Sequence, residues 1–237
     1  MSTQDLREKV STYYDGFASK QQNVGINVRH LTIYNNIKKL GLNPDSKILE
    51  IGCGIGNFTH FIASQITTGK IVAVDISPRS IEIAKSTYKD KPNMEFMVSD
   101  MSDFERPEKF DIVVLPDVLE HIPIEQHQNL FARIAKHTHE KSAILINIPD
   151  PRALEWITEH RPDLLQVIDQ PLHTNLLVEN FYSNGFYIDS LYSYALFFDV
   201  PDYQSIVLKK NLPIKHMSPK TGFFLKIRRF ILRKFHI

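Results

Sequence analysis

From residue 47 onward, short apolar runs alternate with amphipathic stretches. Lys47–Ile51, Ile71–Asp75, Met94–Val98, Asp111–Leu115 and Ala143–Ile148 are brief, mostly rich in Ile and Val, and bounded by Gly, Asp or Pro. That pattern predicts buried strands. Helical periodicity falls near 57–66, 79–89 and 125–138, between the strands. Strands alternating with helices predict an α/β domain, doubly wound about a parallel sheet. Gly185–Phe198 and Tyr203–Lys209 are rich in Ile, Val, Tyr and Phe and flank the turn residues Val200–Pro201–Asp202, so they read as an antiparallel pair that finishes the sheet. Residues 1–45 read as two helices leading into the first strand. Residues 150–183 read as a helical insertion whose Trp156, Ile157, Leu164, Leu165 and Val167 suit a cap and substrate wall. We expect one domain over 1–210 and a tail over 211–237, with Asn211–Thr221 as linker.

Composition narrows the class. The 237 residues are 43% hydrophobic and 23% charged, inside the globular range and outside that of disordered or collagenous chains. A single Cys53 excludes a disulfide framework and any multi-cysteine zinc site; between two glycines it reads as a small buried filler. The N-terminus is unlike a secretory leader and no run of ~18 apolar residues occurs, so the expected location is the cytoplasm. The net charge of +1 hides an asymmetry: no Asp or Glu follows Asp202, while residues 203–237 hold nine Lys or Arg. Residues 222–237 read as a basic amphipathic helix with Phe224, Ile227, Ile231 and Phe235 on one stripe and Lys226, Arg229 and Arg233 on another face. Such a helix suits the anionic inner face of a membrane; packing on the domain or in a homodimer, and nucleic-acid contact, are its other uses.

The chemistry concentrates in Ile48–Phe58, a strand running into Gly52, Gly54 and Gly56 and then a helix. Glycines there permit a tight turn and let a ligand approach the backbone beside a helix N-terminus. Asp75 closes the second strand nineteen residues after Gly56, where a carboxylate can accept ribose hydroxyls. Asp100 follows the third strand. The phosphate-binding pattern Gly-x-x-x-x-Gly-Lys-Ser/Thr is absent, and the dinucleotide fingerprint would need glycine at Asn57. Glu50, two residues before the first glycine, suits an ammonium or sulfonium group better than a pyrophosphate.

Four stretches in order resemble the motifs of class I S-adenosylmethionine-dependent methyltransferases: Glu50-x-Gly52-x-Gly54-x-Gly56, then Asp75, then Ser99–Asp100–Met101, then Asp111 to Ile122. The resemblance covers about residues 40–150 and implies a Rossmann-like, seven-stranded, mostly parallel sheet. It also implies S-adenosylmethionine as cofactor, with the three glycines at its methionine and ribose part and Glu50 at the methionine. Asp75 would meet the ribose hydroxyls, and Asp100 with Met101 the adenine. Ile76 and Leu115 are expected beside these, and Tyr14 or Arg29 at the methionine carboxylate.

For catalysis, Asp117, Glu120 and His121 fall at i, i+3 and i+4 if the segment after the fourth strand is one helical turn. That face suits a general base, His121 above all, with Asp117 beside it, or a divalent cation; capping and loop stabilisation are the structural alternatives. The Leu-Glu-His-Ile segment resembles quinone-biosynthesis and sugar-modifying methyltransferases. His173 is the second catalytic candidate, with helix capping as its alternative. His127, His137, His139 and His160 are expected to be solvated.

The leading expectation is O-methylation of a small molecule or a lipid- or sugar-linked acceptor. N-methylation of an amine, macromolecular methylation and a non-catalytic cofactor-binding module are the rival classes. Nucleic acid is disfavoured because the fourth strand ends in Leu-Pro-Asp-Val, not Asn/Asp-Pro-Pro-aromatic, and no Pro-Cys pair occurs. The acidic body also opposes phosphate binding.

Overall fold

The computed structural model describes residues 8–16 and 25–218, together with Ile227, Phe230 and Lys234. Residues 8–16 are helical (α1) and are followed by α2 (Val28–Lys39). Then come β1 (Lys47–Ile51), α3 (Asn57–Ala63), β2 (Lys70–Asp75), α4 (Pro78–Thr87), β3 (Met94–Val98) and β4 (Phe110–Pro116). The chain continues through α5 (Ile124–Lys136), β5 (Thr138–Pro149), α6 (Pro151–His160), α7 (Thr174–Ser183), β6 (Phe186–Tyr194) and β7 (Tyr203–Lys210).

The strands form one sheet in the order β3-β2-β1-β4-β5-β7-β6. The first five are parallel, and β7 runs antiparallel to both β5 and β6. This is the doubly wound sheet expected from the strand pattern, with the seven strands that the resemblance implies. The carboxyl ends of β1, β2, β3 and β4 share one edge, and the order reverses between β1 and β4, where ligands bind in such sheets.

Alternation along the strands sorts the core into two layers. Leu49, Val72, Val113 and Ile144 face α5 and α7, meeting Phe131, Ile134, Leu177 and Phe181. Ile48, Ile71, Ile112 and Leu145 face the other way, onto Ile33, Ile37, Phe58, Ile62 and Ile81 of α2, α3 and α4. Burying each such side chain contributes ~1.5–3 kcal/mol, which is why near-continuous Ile/Val runs mark a sheet covered on both faces.

Element ends differ from the pattern where capping decides them. Helix α4 begins at Pro78 because Ser77 caps it, accepting from the Ser80 N–H, and proline suits a first helical position. Strand β5 extends back to Thr138, farther than its apolar run, since Thr138 pairs with Phe110 before a bulge. Strand β6 stops at Tyr194, short of Phe198. Asp202 folds the connection back by accepting from the Leu196 (2.6 Å) and Phe197 (3.0 Å) amides. The 150–183 insertion is two helices joined by a largely irregular stretch with one 3₁₀ turn, Pro162–Leu164.

Two histidines contradict the solvated expectation. His127 and His137 are fully buried. His127 Nε2 lies 2.8 Å from the Ile122 carbonyl, while His137 bridges the Arg133 carbonyl and the Arg106 N–H. His139 is half-buried against Asp111, and His160 is exposed under Trp156. The amphipathic tail helix lies largely outside the described residues; of its stripe only Ile227 is described, and it is exposed.

Candidate active site

At the carboxyl edge of the sheet, a cavity of about 420 Å³ opens between β1, β2 and β4. Gly52, Cys53, Gly54 and Ile55 form its floor, Asp75 and Ile76 one side, Ser99 and Asp100 the next, and Asp117 and His121 the other. Tyr14 from α1, Asn27, Arg29 and His30 from the start of α2, and Gln166 from the insertion complete the wall.

The floor is tied to β2. The Val74 carbonyl accepts from the Gly52 (2.7 Å) and Cys53 (3.0 Å) amides, so strand pairing continues into the loop. Gly52 has φ +79°, and a Cβ there would run into Val118. Both the conformation and the space require glycine. Gly56, at φ +83°, does not line the cavity; a Cβ there would lie 2.8 Å from the Phe96 ring. Its glycine serves packing behind the loop. Cys53 is buried, and burial pushes its thiol up, away from reactivity.

Asp75 is held by both oxygens, Oδ2 from the Gly54 N–H at 2.8 Å and Oδ1 from the Ser77 N–H at 2.9 Å. Burial nevertheless raises its pKa. Glu50 is different. It is 1% exposed, it lines the cavity, and neither carboxylate oxygen has a hydrogen-bond partner. Desolvation pushes its pKa up to about 7, with the Asp75 charge adding to the rise and nearby Thr59 opposing it. A buried acid without a partner is costly unless a ligand supplies one.

Asp117 takes φ +56° at the end of β4. Its N–H donates to the Asn147 carbonyl (2.8 Å), and its Oδ2 lies 3.0 Å from Arg29 Nε. Arg29 also donates to the Tyr203 hydroxyl at 3.4 Å. Burial alone would lower the Arg29 pKa, but Asp117 and Tyr203 outweigh it and raise it.

Left-handed backbone at Asp117 and a 3₁₀ turn over Leu119–His121 replace the helical turn expected for this segment, so the trio does not share one helix face. Asp117 turns to Arg29, while Glu120 is buried outside the cavity lining with Oε2 unpartnered. The described residues contain no group of three or more His, Cys, Asp or Glu suited to a metal ion.

His121 is built from the insertion. Its Nδ1 lies 2.5 Å from the Ile168 carbonyl and 3.1 Å from Asp169 Oδ1. Gln170 donates from its backbone and side chain to the Glu120 carbonyl, and from its side chain to that of Ile122, clamping the segment that carries His121. Tyr14 packs edge-on to the His121 ring and donates to Gln166 Oε1 at 2.9 Å. Desolvation would lower the His121 pKa, but Glu120, Asp169 and the Ile168 carbonyl outweigh it and bring it to about 9.

Three sequence-based candidates fall elsewhere. Met101 adopts φ +68°, which drives its side chain into the core at 1% exposure. Leu115 is wholly buried in the same cluster. His173 precedes α7 on the surface without a side-chain capping bond, 2.8 Å from Glu155, and does not line the cavity. Trp156 and Leu164 are half exposed, and Gln166 is the one insertion residue in the cavity lining. Sequence reading missed Gln166, Asp169, Asn27 and His30. Gln166 and Asp169, interleaved with the apolar Leu164–Leu165 and Val167–Ile168, were the available signal within the insertion.

These residues fit an adenosyl-methionine ligand: an orphaned anion for an ammonium, a cradle that excludes Cβ, and a carboxylate fixed beside the glycines. Residues 48–141 match a family model described as a methyltransferase domain. That segment resembles a methyltransferase domain. Over 100 residues the chain is 33% identical to malonyl-[acyl-carrier protein] O-methyltransferase 1 of Ilyobacter polytropus, covering 42% of this chain and 35% of that one. Over 164 residues it is 28% identical to the malonyl-[acyl-carrier protein] O-methyltransferase of Anoxybacillus flavithermus, covering 68% and 59%. The alignments thus span about one third and about three fifths of these relatives. The methyltransferase fold extends beyond the matched domain: the magnesium protoporphyrin IX methyltransferase of Synechocystis, solved with bound S-adenosylhomocysteine, superimposes with a TM-score of 0.68 at 17% identity, over 86% of this chain and 99% of that one.

Proposed function

We propose that the protein transfers a methyl group from S-adenosylmethionine to a hydroxyl of a small molecule or a lipid- or sugar-linked acceptor. The observation that carries the cofactor is the unpartnered Glu50 carboxylate, buried in a cavity whose floor is the Gly52–Gly54 turn. Glu50 would hold the ammonium and Asp75 the ribose, with Asp100 toward the adenine. Arg29 is set to meet the methionine carboxylate. When bound, the cofactor supplies an activated methyl: the acceptor oxygen's electron pair forms the new bond to carbon, the carbon–sulfur pair stays on sulfur, and the hydroxyl proton must leave.

His121 is the group in this chain that takes the proton, from its neutral form, whose share grows as pH rises toward about 9. A carbonyl accepts only, so the Ile168 contact places the proton of the neutral ring on Nδ1 and leaves the Nε2 lone pair available. Tyr14, Val118 and Ile122 line the same cavity as His121, and alignment supplies much of the rate in such displacements.

Incubating the protein with methyl-labelled S-adenosylmethionine and an extract of cells that naturally carry it, then partitioning the label, tests the reading. We expect label in an organic or polar small-molecule fraction, lost in His121→Ala. Organic label would go with a membrane-facing role for the basic segment 222–237. Label only in RNA or protein would overturn the reading.

A further inference from the structure

Of the groups that surround the cavity without lining it, Asp169 is the one joined to the candidate base. Its Oδ1 lies 3.1 Å from His121 Nδ1, and its Oδ2 accepts from the Gln166 N–H. Both acidic and imidazole side chains are nearly buried, at 9% and 10% exposure. The partners of His121 are therefore unequal. Nδ1 faces a carbonyl at 2.5 Å and a carboxylate. Nε2 makes no hydrogen bond to the described residues, and Glu120 Oε1 lies 3.7 Å from it.

We propose that Asp169 is the positioning residue of this site: it fixes the His121 ring with Nε2 turned to the acceptor and favours its protonated form. The inference rests on the proposed methyl transfer. The Ile168 carbonyl alone would set the tautomer; the carboxylate adds stabilisation of the imidazolium that forms when Nε2 takes the acceptor's proton. Asp117, Glu120 and Asp169, together with the Tyr14 hydroxyl, face this ring from β4's end, the 3₁₀ turn, the insertion and α1. Through Oδ2 the same residue holds the Gln166 backbone, and Gln166 in turn receives the Tyr14 hydroxyl. One side chain thus orders the base and the α1 contact above it.

The test is long-range proton–nitrogen NMR of the full chain with labelled histidine, resonances assigned through His121→Gln, beside a calorimetric titration with S-adenosylhomocysteine. In the wild type we expect His121 to titrate well above an ordinary histidine and, above that titration, to carry its proton on Nδ1. In Asp169→Asn the titration should fall by roughly 1–2 units, as expected for losing an adjacent opposite charge, with S-adenosylhomocysteine affinity within about threefold of wild type. Methyl-label transfer to the cell extract, measured at a pH above the wild-type titration where both rings are neutral, should drop, in line with a weaker general base. An Nε2-protonated neutral ring in the wild type, or an unchanged titration in a folded Asp169→Asn, would overturn the proposal. Should the asparagine variant not fold, Asp169→Ser takes its place, with the same fall in titration expected and an unchanged titration overturning the proposal. Failure of the wild type to bind S-adenosylhomocysteine would instead defeat the methyl-transfer reading.

Discussion

Arg29 Nε lies 3.0 Å from Asp117 Oδ2, which ties the start of α2 to the end of β4 across the cavity wall. The pair is only partly shielded, with side-chain exposures of 29% and 11%, so its net worth is below that of a fully buried bridge. Its value is geometric: it aims the guanidinium over the site while Tyr203 steadies it. Arg29→Ala is expected to weaken S-adenosylhomocysteine binding by roughly 10-fold, about 1.4 kcal/mol, and to lower the melting temperature by a few degrees. Calorimetric titration and thermal unfolding check both.

Gly52→Ala combines a positive φ with a collision at Val118. Strain of this kind costs on the order of 1–3 kcal/mol and displaces the cradle. We expect a folded but less stable protein with S-adenosylhomocysteine binding reduced beyond detection in a standard titration. Near-normal binding would mean the loop is not the seat of the ligand.

Glu50 makes stability depend on pH in a direction opposite to most carboxylates. Its folded-state pKa, about 7, lies above the ordinary 4.5, so the native chain binds more protons than the unfolded chain between those values. Stability of the ligand-free protein from this group therefore falls as pH rises through that window. Glu50→Gln should raise the melting temperature at pH 8 and leave it nearly unchanged near pH 4. Cofactor affinity has the reverse dependence, since an ammonium needs the ionised form: it should weaken as pH drops below about 7, and the glutamine variant should lose that dependence.

Much of the fold was legible in the chain because fully buried strands and a glycine loop leave local marks. The β1 and β3 limits and the Gly52 turn follow from neighbouring residues alone. Met101 was misread for a local reason: its left-handed backbone, with its N–H donating to Ser99 Oγ at 3.0 Å, turns toward the core a side chain that its neighbours place at the site. The His121 environment was illegible for a non-local one. Asp169 lies far along the chain, in an irregular stretch whose position no periodicity encodes, and the segment carrying His121 is shaped by Gln170 clamping it from outside.

Met101 and His173 give matched controls. Met101→Ala should cost about 2–5 kcal/mol of stability through the cavity it leaves, with cofactor binding retained at temperatures where the protein is folded. His173→Ala should leave both binding and methyl transfer within about twofold of wild type, because its ring meets Glu155 on the surface. A large loss of transfer in His173→Ala would return that residue to the active site.

The account stands on Glu50 and Asp75 holding an adenosyl-methionine ligand in the cavity, and isothermal titration with S-adenosylhomocysteine at pH 8 tests it most directly. It predicts one site per chain in the wild type and a loss of about 100-fold or more in both Glu50→Gln and Asp75→Ala, ~2.7 kcal/mol each. Absence of binding in the wild type, or full affinity in both folded variants, would contradict it.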